Sequence, residues 1–136
     1  MLDNYIHIGT NSFLACAGGI TINDFSALSP GVSIYSVTDD YLGDGLTNPT
    51  VPKEFLNVTS SPVVLNKHSL IGSGSILLPG VSIGEGASIG ALSLVNKSVA
   101  AWGVYVGSPA KRLRARNKNL LKMETRLHQL ENGTSS

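Results

Sequence analysis

The 136-residue sequence predicts an all-β fold: a parallel β-helix that carries one long loop and ends in an α-helix. Three observations predict it. Aliphatic residues recur every six positions along most of the chain, a polar segment at 36–62 interrupts them, and after Pro109 the apolar residues take helical spacing. We therefore expect a β-helix over 1–110, a basic amphipathic helix over 111–131 and a frayed tail over 132–136.

The six-residue repeat is clearest after the polar segment. Its aliphatic positions are Leu65, Ile71, Leu77, Ile83, Ile89 and Val95, and a small or β-branched residue follows each of them four positions later. A period of six fits neither a helix nor simple strand alternation, but it suits a short strand and a turn, used three times per coil. The aliphatic side chains then point inward, and coils stack at the strand spacing of about 4.8 Å.

The first part of the chain follows the same repeat with one break. Its aliphatic positions are Ile8, Leu14, Ile22, Leu28 and Ile34, and Ala17-Gly18-Gly19 shifts the phase between the second and the third. The segment 36–62 lacks the repeat and is rich in Gly, Pro, Asn and Asp, so it predicts a long loop that leaves the prism.

The C-terminal segment carries an apolar stripe at helical spacing, with most basic residues beside it. The stripe consists of Leu113, Leu120, Met123, Leu127 and Leu130. Residues 111–136 carry a net charge of +5, from seven Lys or Arg and two Glu, whereas residues 1–110 carry −4. A basic tail of this kind binds nucleic acid, a membrane surface or an anionic cofactor, or is a solvated helix face. It lacks the aromatic residues that stack on nucleic-acid bases.

Composition excludes several classes of protein. Only 14% of the residues are charged and 42% are hydrophobic, which is incompatible with global disorder. No apolar run approaches the roughly 20 residues that span a bilayer. The printed sequence shows no secretion signal at its start, and the lone Cys16 cannot form an internal disulfide. We therefore expect a cytoplasmic protein.

Two stretches, PVVLNKHSLIGSGSILLPGVSIGEGASIGALSLVNKSV at 62–99 and VYVGSPAKRLR at 104–114, resemble the hexapeptide-repeat acyltransferases. The similarity covers residues 5 to 116 and includes galactoside, sugar and O-antigen-type O-acetyltransferases. It implies a left-handed parallel β-helix and a homotrimer that binds acetyl-CoA, without a metal, in a groove between neighbouring prisms.

The resemblance assigns a set of cofactor-binding residues. Ser73 and Ala91 are small, lie one 18-residue coil apart and would leave room for the pantetheine arm. Trp102 would cover the adenine or, alternatively, pack against the tail helix. The remaining candidates for the cofactor are Asn96, Lys97, Lys111, Arg112 and Arg114, whose cations would hold the phosphates or else be ordinary surface residues.

The sequence differs from the family that it resembles in the residue at the position of the general base. Galactoside O-acetyltransferases carry a loop His where this chain has Asp39. We predict that His7 is the base, oriented by Asp39 or Asp40, because an imidazole held by a carboxylate gains basicity. The alternatives are a surface or trimer-contact role for His7 and a loop-capping role for the two aspartates.

The resemblance predicts an acetyl-CoA-dependent O-acetyltransferase that acts on a sugar hydroxyl, of a saccharide or a nucleotide sugar. Its acceptor would contact Gly9, Tyr41 and Asn48. One alternative is an N-acetyltransferase for an amino sugar, which needs less base. Another is a non-catalytic prism that only binds the cofactor. A zinc carbonic anhydrase is disfavoured because His7, His68 and His128 lack the spacing of zinc ligands. We expect His68 to occupy a turn and His128 to be solvated.

Overall fold

The computed structural model describes residue 2 and residues 4–133. Short strands make up most of it: β1 (His7–Ile8), β2 (Phe13–Ala15), β3 (Ile20–Ile22), β4 (Ala27–Leu28), β5 (Ser33–Tyr35), β6 (Val37–Thr38), β7 (Thr59–Ser60), β8 (Val63–Leu65), β9 (Leu70–Ile71), β10 (Ile76–Leu77), β11 (Ser82–Ile83), β12 (Ser88–Ile89), β13 (Leu94–Val95), β14 (Gly103–Gly107) and β15 (Ala110–Ala115). A 3-10 helix (Lys53–Phe55) lies in the long loop, and α1 (Leu120–Glu131) ends the described chain. No helix within these residues is long and apolar enough to cross a membrane.

The strands form a three-sided parallel β-helix, as the six-residue repeat predicts. Face one contains β1-β4-β9-β12-β14-β15, face two contains β2-β5-β10-β13, and face three contains β3-β8-β11. Apart from the separate β6–β7 sheet, consecutive strands up to β13 lie on consecutive faces, so each face receives one strand per coil, and Val99 then continues face three as a bridge to Ile83. Leu70 pairs with Ser88, and Ile76 with Leu94, which is the expected separation of 18 residues.

Two insertions shift the strand register without ending the coil. Phe13 pairs with Ser33, a separation of 20 residues, because the Ala17-Gly18-Gly19 turn adds two. Ser33 pairs with Ile76, a separation of 43 residues, because the long loop adds 25. Since the repeat resumes in phase after both insertions, the prism tolerates additions at its corners.

The interior is a column of aliphatic side chains. Ile22, Leu28, Ile34, Leu65, Ile71, Leu77 and Ile83 are all 0% exposed. Each such side chain contributes about 1.5–3 kcal/mol by leaving water. Small polar residues fill the corners, and their hydroxyls find backbone partners: Ser75 donates to Gly90 O at 3.0 Å and Ser93 to the same oxygen at 2.7 Å.

The long loop is closed at its base by a two-stranded antiparallel ribbon, in which Val37 pairs with Ser60 and Thr38 with Thr59. Residues 39–58 project beyond this ribbon. The loop keeps exposed apolar side chains, among them Tyr41 and Leu42, which are 88% and 89% exposed.

The prediction of a helix from residue 111 onward is wrong at its start. Residues 110–115 form β15, which pairs antiparallel with β14, and α1 begins only at Leu120. The last coil presents unpaired backbone groups at its edge, and β15 covers them with a strand that carries charged side chains. Asn132 and Gly133 form a turn after α1, and the rest of the predicted tail, 134–136, lies outside the described residues.

Candidate functional site

The three corners of the prism carry different side chains, and we name them by what they hold. The glycine corner joins faces one and two and comprises 9–12, 29–32, 72–75 and 90–93. The loop corner joins faces two and three and comprises 16–19, 36–62, 78–81 and 96–98. The aromatic corner joins faces three and one and comprises 4–6, 23–26, 66–69, 84–87 and 100–102.

Ser73 and Ala91 lie in successive coils of the glycine corner, as their spacing predicts. The Leu92 N–H donates to Ser73 O at 2.9 Å, and both Ser73 and Ala91 are exposed. A Cβ on Gly72 would lie only 2.5 Å from Ala91 N, so the two coils are in direct backbone contact. The glycine corner therefore exposes backbone at Ser73 and Ala91, with the Leu92 side chain over Gly74 and Val106 beside Gly90, which suits an extended ligand.

The other predicted cofactor residues lie elsewhere on the chain. Asn96 and Lys97 are exposed at the loop corner, immediately after β13. The three cations Lys111, Arg112 and Arg114 are exposed on β15, at the edge of face one. Lys111 pairs with Val106 of β14, whose side chain lies beside Gly90, so β15 borders the glycine corner next to Ala91. Asn96 and Lys97 are separated from Ser73 and Ala91 by the strands of face two.

Trp102 lies at the aromatic corner in the left-handed region, with φ of 58°. Its ring covers the space above Gly86, and Lys118 Nζ lies 5.5 Å from the ring centroid. The Arg116 N–H donates to Trp102 O at 2.8 Å. The ring thus packs on the chain that leads into α1, and its contact with the adenine of the cofactor stays a prediction.

A groove of about 730 Å³ lies on face two, beside the long loop. It is lined by Phe13, Ala15, Tyr35, Val37, Thr38, Asp39, Tyr41, Val58, Ile76, Leu78 and Leu94. The rings of Phe13 and Tyr35 are tilted against each other, with centroids 5.6 Å apart. Two of the predicted site residues, Asp39 and Tyr41, therefore border the same groove.

Asp40 and Asn48 hold the loop itself. The Asp40 carboxylate accepts hydrogen bonds from the Leu42 N–H at 2.9 Å and the Gly45 N–H at 2.7 Å. These bonds, with Leu42 the stronger influence, lower the pKa of Asp40. The Asn48 side chain accepts from the Thr50 N–H at 2.9 Å. Both side chains thus act on the loop's own backbone, which for Asp40 is the capping alternative.

His7 lies away from the aspartates in the single chain. It is exposed on β1 of face one, where it pairs with Ala27, and Gly9 follows at the glycine corner. In the part of the chain that the structure describes, no hydrogen bond or ion pair links His7 to Asp39 or Asp40. The same residues contain no group of three or more His, Cys, Asp or Glu placed to hold a metal ion.

The contacts between the aromatic corner and α1 were not predicted from the sequence. Tyr5 stacks on Phe25 with centroids 4.9 Å apart, and Phe25 stacks on His68 at 5.1 Å. His68 is at the expected turn position, with φ of 64°, but its side chain is buried. The signal was present in the sequence, since Tyr5, Phe25 and His68 are separated by 20 and 43 residues, which are the separations of stacked coils.

Glu124 of α1 fastens the helix to this corner. Its carboxylate lies 2.6 Å from Lys67 Nζ, 2.5 Å from His68 Nε2 and 3.2 Å from His128 Nε2. The bond from Lys67, followed by those from the two histidines, lowers the pKa of Glu124 to about 2. No residue of α1 is fully buried, and this polar cluster attaches the helix together with the half-buried Leu120 and Leu127.

Two comparisons with known proteins bear on identity. A dTDP-4-amino-4,6-dideoxy-D-glucose acyltransferase from Escherichia coli is 45% identical over 124 residues, which cover 91% of this chain and 65% of the relative. The crystal structure of AntD, an N-acyltransferase from Bacillus cereus in complex with dTDP and 3-hydroxybutyryl-CoA, superposes with a TM-score of 0.94 at 35% identity. That match covers 97% of this chain and 71% of AntD. The chain belongs to the hexapeptide-repeat acyltransferases.

The relatives of this chain include both N- and O-acyltransferases. A putative lipopolysaccharide biosynthesis O-acetyl transferase, WbbJ, from Escherichia coli K12 is 30% identical over 85% of this chain and 57% of the relative. The chain spans about two thirds or less of the two curated relatives, 65% and 57% of their lengths. No protein-family model matches the chain.

Proposed function

We propose that the protein transfers an acyl group from acyl-CoA to the amine of a dTDP-linked amino sugar. Both the 45% identical relative and AntD are acyltransferases whose names or ligands include dTDP, and AntD is an N-acyltransferase. The sugar hydroxyl predicted from the sequence is the second candidate acceptor, and the similarity to WbbJ supports it.

The observation that carries the proposal is Asp39 at the border of the face-two groove. A neutral amine is a stronger nucleophile than a hydroxyl and attacks the thioester without prior deprotonation. The nitrogen then bonds to the carbonyl carbon, the carbon–sulfur bond breaks, and the proton lost by nitrogen passes through Asp39 to the leaving thiolate. An amine acceptor also accounts for the absence of a loop His, since a carboxylate suffices to accept this proton.

A homotrimer is part of the proposal. Ser73 and Ala91 are at the glycine corner, whereas Asn96 and Lys97 are at the loop corner across face two. In the proposed trimer, one acetyl-CoA molecule contacts both sets where the corner of one copy meets the facing corner of the next. His7 would reach Asp39 in the same way, from a neighbouring copy. The left-handed winding implied by the resemblance belongs to the same proposal.

The test compares an amine with a hydroxyl at the same sugar position. The acceptors are dTDP-4-amino-4,6-dideoxyglucose and its 4-hydroxyl counterpart, dTDP-6-deoxyglucose, and release of CoA from acetyl-CoA is followed with a thiol reagent. The assay uses the Cys16→Ser variant, because the exposed Cys16 thiol would react as well. We expect kcat/KM to be at least 10²-fold higher for the amine.

Two outcomes would overturn the proposal. Equal or faster transfer to the hydroxyl would show that the protein is an O-acetyltransferase. Binding of acetyl-CoA without transfer to either acceptor would assign it to the non-catalytic prisms.

A further inference from the structure

A cavity of about 310 Å³ lies between α1 and face one. It shares no lining residue with the face-two groove. Most of its wall is apolar, and Arg116 and Glu124 bring charge to it. The aliphatic and thioether side chains of the wall are Leu70 from face one and Leu120, Met123 and Leu127 from α1. An apolar wall that carries a few charged groups is typical of small-molecule sites.

The guanidinium of Arg116 has one end bonded to the protein and one edge without a partner among the described residues. Its Nη1 donates to His68 O at 2.7 Å and to Gly86 O at 3.0 Å, which holds the side chain across two successive coils. No carboxylate of the described chain forms an ion pair with Arg116. The remaining donors, on Nε and Nη2, form the fork that matches a carboxylate. Burial lowers the pKa of Arg116, but a guanidinium keeps its charge in proteins.

The negative charge of Glu124 is already compensated. Its Oε2 lies 2.6 Å from Lys67 Nζ and 3.2 Å from His128 Nε2, and its Oε1 lies 2.5 Å from His68 Nε2. Because Lys67 balances this carboxylate at neutral pH, the charge of Arg116 is left over. The cavity therefore attracts an anion.

The start of α1 adds to the positive potential of the cavity. Leu120 is both the first residue of α1 and part of the cavity wall. The first turn contains no acidic residue, and the Asn119 side chain makes no capping hydrogen bond. The positive end of the helix dipole therefore borders the cavity without a negative side chain to offset it.

We propose that this cavity binds a small organic monocarboxylate. Its carboxylate pairs with the Nε–Nη2 edge of Arg116, and its apolar body lies against Leu70, Met123 and Leu127. A carboxylate is favoured over an anion with a single acceptor because it uses both donors of the fork. The volume is at the lower end of the range of about 300–1,000 Å³ for ligand pockets, so it suits a short-chain acid.

The experiment follows the methyl signal of Met123 by NMR, in protein with ¹³C-labelled methionine methyl groups. The chain has two methionines, and Met123→Leu identifies the signal by its loss. The probe is sodium hexanoate at neutral pH and constant ionic strength, and hexanol is the neutral probe with the same carbon chain. Hexanoate should shift the signal and saturate with a Kd of about 1 mM. Hexanol should bind at least about 10-fold more weakly, because it cannot form the charged pair.

Two variants separate the charge from the apolar wall. Arg116→Gln should raise the Kd of hexanoate by about 10-fold or more. Leu70→Trp keeps the guanidinium and should abolish the saturable shift, because a larger side chain on β9 fills the cavity. The matched control is Arg126→Gln, since Arg126 is an exposed arginine of α1 that does not line the cavity. Its Kd for hexanoate should equal that of the wild type.

The inference fails if hexanol binds as tightly as hexanoate, which would make the cavity a purely apolar site. It fails equally if Met123 shows no saturable shift, or if the Kd of hexanoate is unchanged in Arg116→Gln. Should Arg116→Gln detach α1, seen as fast hydrogen exchange of residues 120–131, the Leu70→Trp variant decides. A wild-type Kd in that variant contradicts the inference, and loss of the saturable shift supports it. These measurements do not depend on acyl transfer, so a negative result leaves the proposed function standing.

Discussion

The glycine corner and the aromatic corner use the same backbone conformation for opposite purposes. At the glycine corner two of the four left-handed positions are Gly31 and Gly74, with φ of 75° and 72°, and the other two are Asn11 and Leu92. At the aromatic corner four of the five are side chains with rings, among them Phe25 and His68, with φ of 60° and 64°. The left-handed conformation is unfavourable for a bulky residue, so the aromatic corner stores more strain, which stacking and helix attachment offset.

This difference shows how a uniform coil acquires distinct surfaces. Glycine at the turn leaves the backbone of one coil open, which suits an extended ligand such as the pantetheine arm. Aromatic rings at the equivalent turn form a stacked column that holds α1 through Glu124. The acyl transfer proposed above takes place at the glycine corner and the neighbouring face-two groove. The aromatic corner instead attaches α1 to the prism.

We expect the largest effect on stability from adding a side chain at Gly72 of the glycine corner. Gly72→Val should lower the free energy of unfolding by about 3 kcal/mol or more, because its side chain would collide with the backbone of Ile89 and Ala91. Urea denaturation measures the change. Ser73→Ala, at the exposed neighbouring position, should alter stability by less than about 0.5 kcal/mol. A Gly72→Val protein as stable as the wild type would contradict the close coil contact.

Acid should weaken the attachment of α1 to the aromatic corner. The pKa of Glu124 is lowered to about 2 from 4.5. A carboxyl group with a depressed pKa stabilises the folded state above its ordinary pKa, and this stabilisation is lost as pH falls from 4.5 toward 2. Cleavage within α1 by pepsin should therefore increase over this range.

The Glu124→Gln variant distinguishes the contribution of this cluster from that of other carboxyl groups that titrate in acid. It should weaken the attachment of α1 by about 1–2 kcal/mol already at neutral pH, because Lys67 and His68 lose their charged partner. Hydrogen exchange of residues 120–131 at pH 7 should be faster, while exchange in the coils stays slow. The control is Glu131→Gln, since Glu131 pairs with His128 on the same helix. Unchanged exchange in Glu124→Gln would show that α1 is held by its apolar side chains.

The smallest effect concerns the cation above Trp102. Lys118→Ala should cost about 0.5–1 kcal/mol and change the emission of Trp102, the chain's one tryptophan. Lys122→Ala, on the same basic segment, is the control and should leave the emission unchanged. Identical spectra for the two variants would contradict the contact between Lys118 and the ring.

The six-residue repeat predicted the prism well because one local rule is repeated in every coil. Most of the aliphatic residues that it placed inside, such as Leu65 and Ile71, are fully buried, whereas Ile8 in the first coil is 37% exposed. The two breaks it detected are the two insertions. The start of the C-terminal helix was wrong because the Lys111–Arg114 segment is short and forms a strand only by pairing with the edge of β14. That pairing is a tertiary effect that helical spacing cannot predict.

The candidate site could be predicted only in part. Spacing alone was sufficient to stack Ser73 on Ala91, since both follow the repeat. Within one chain His7 lies on face one, away from Asp39, and the proposed contact between them requires a neighbouring copy, on which periodicity within one chain contains no information. The role of Glu124 was missed because it joins a helix to a turn 56 residues earlier, a contact that no local pattern encodes.

The most direct test of the account is the rate of acyl transfer to the amino sugar by Asp39→Asn. If Asp39 accepts the proton of the attacking amine, kcat should fall by about 10²-fold or more while acetyl-CoA binding is retained. Asp44→Asn, an exposed aspartate of the same loop that does not line the groove, is the control and should keep wild-type kcat. Wild-type kcat in Asp39→Asn, together with an inactive His7→Ala, would contradict the account and make His7 the base.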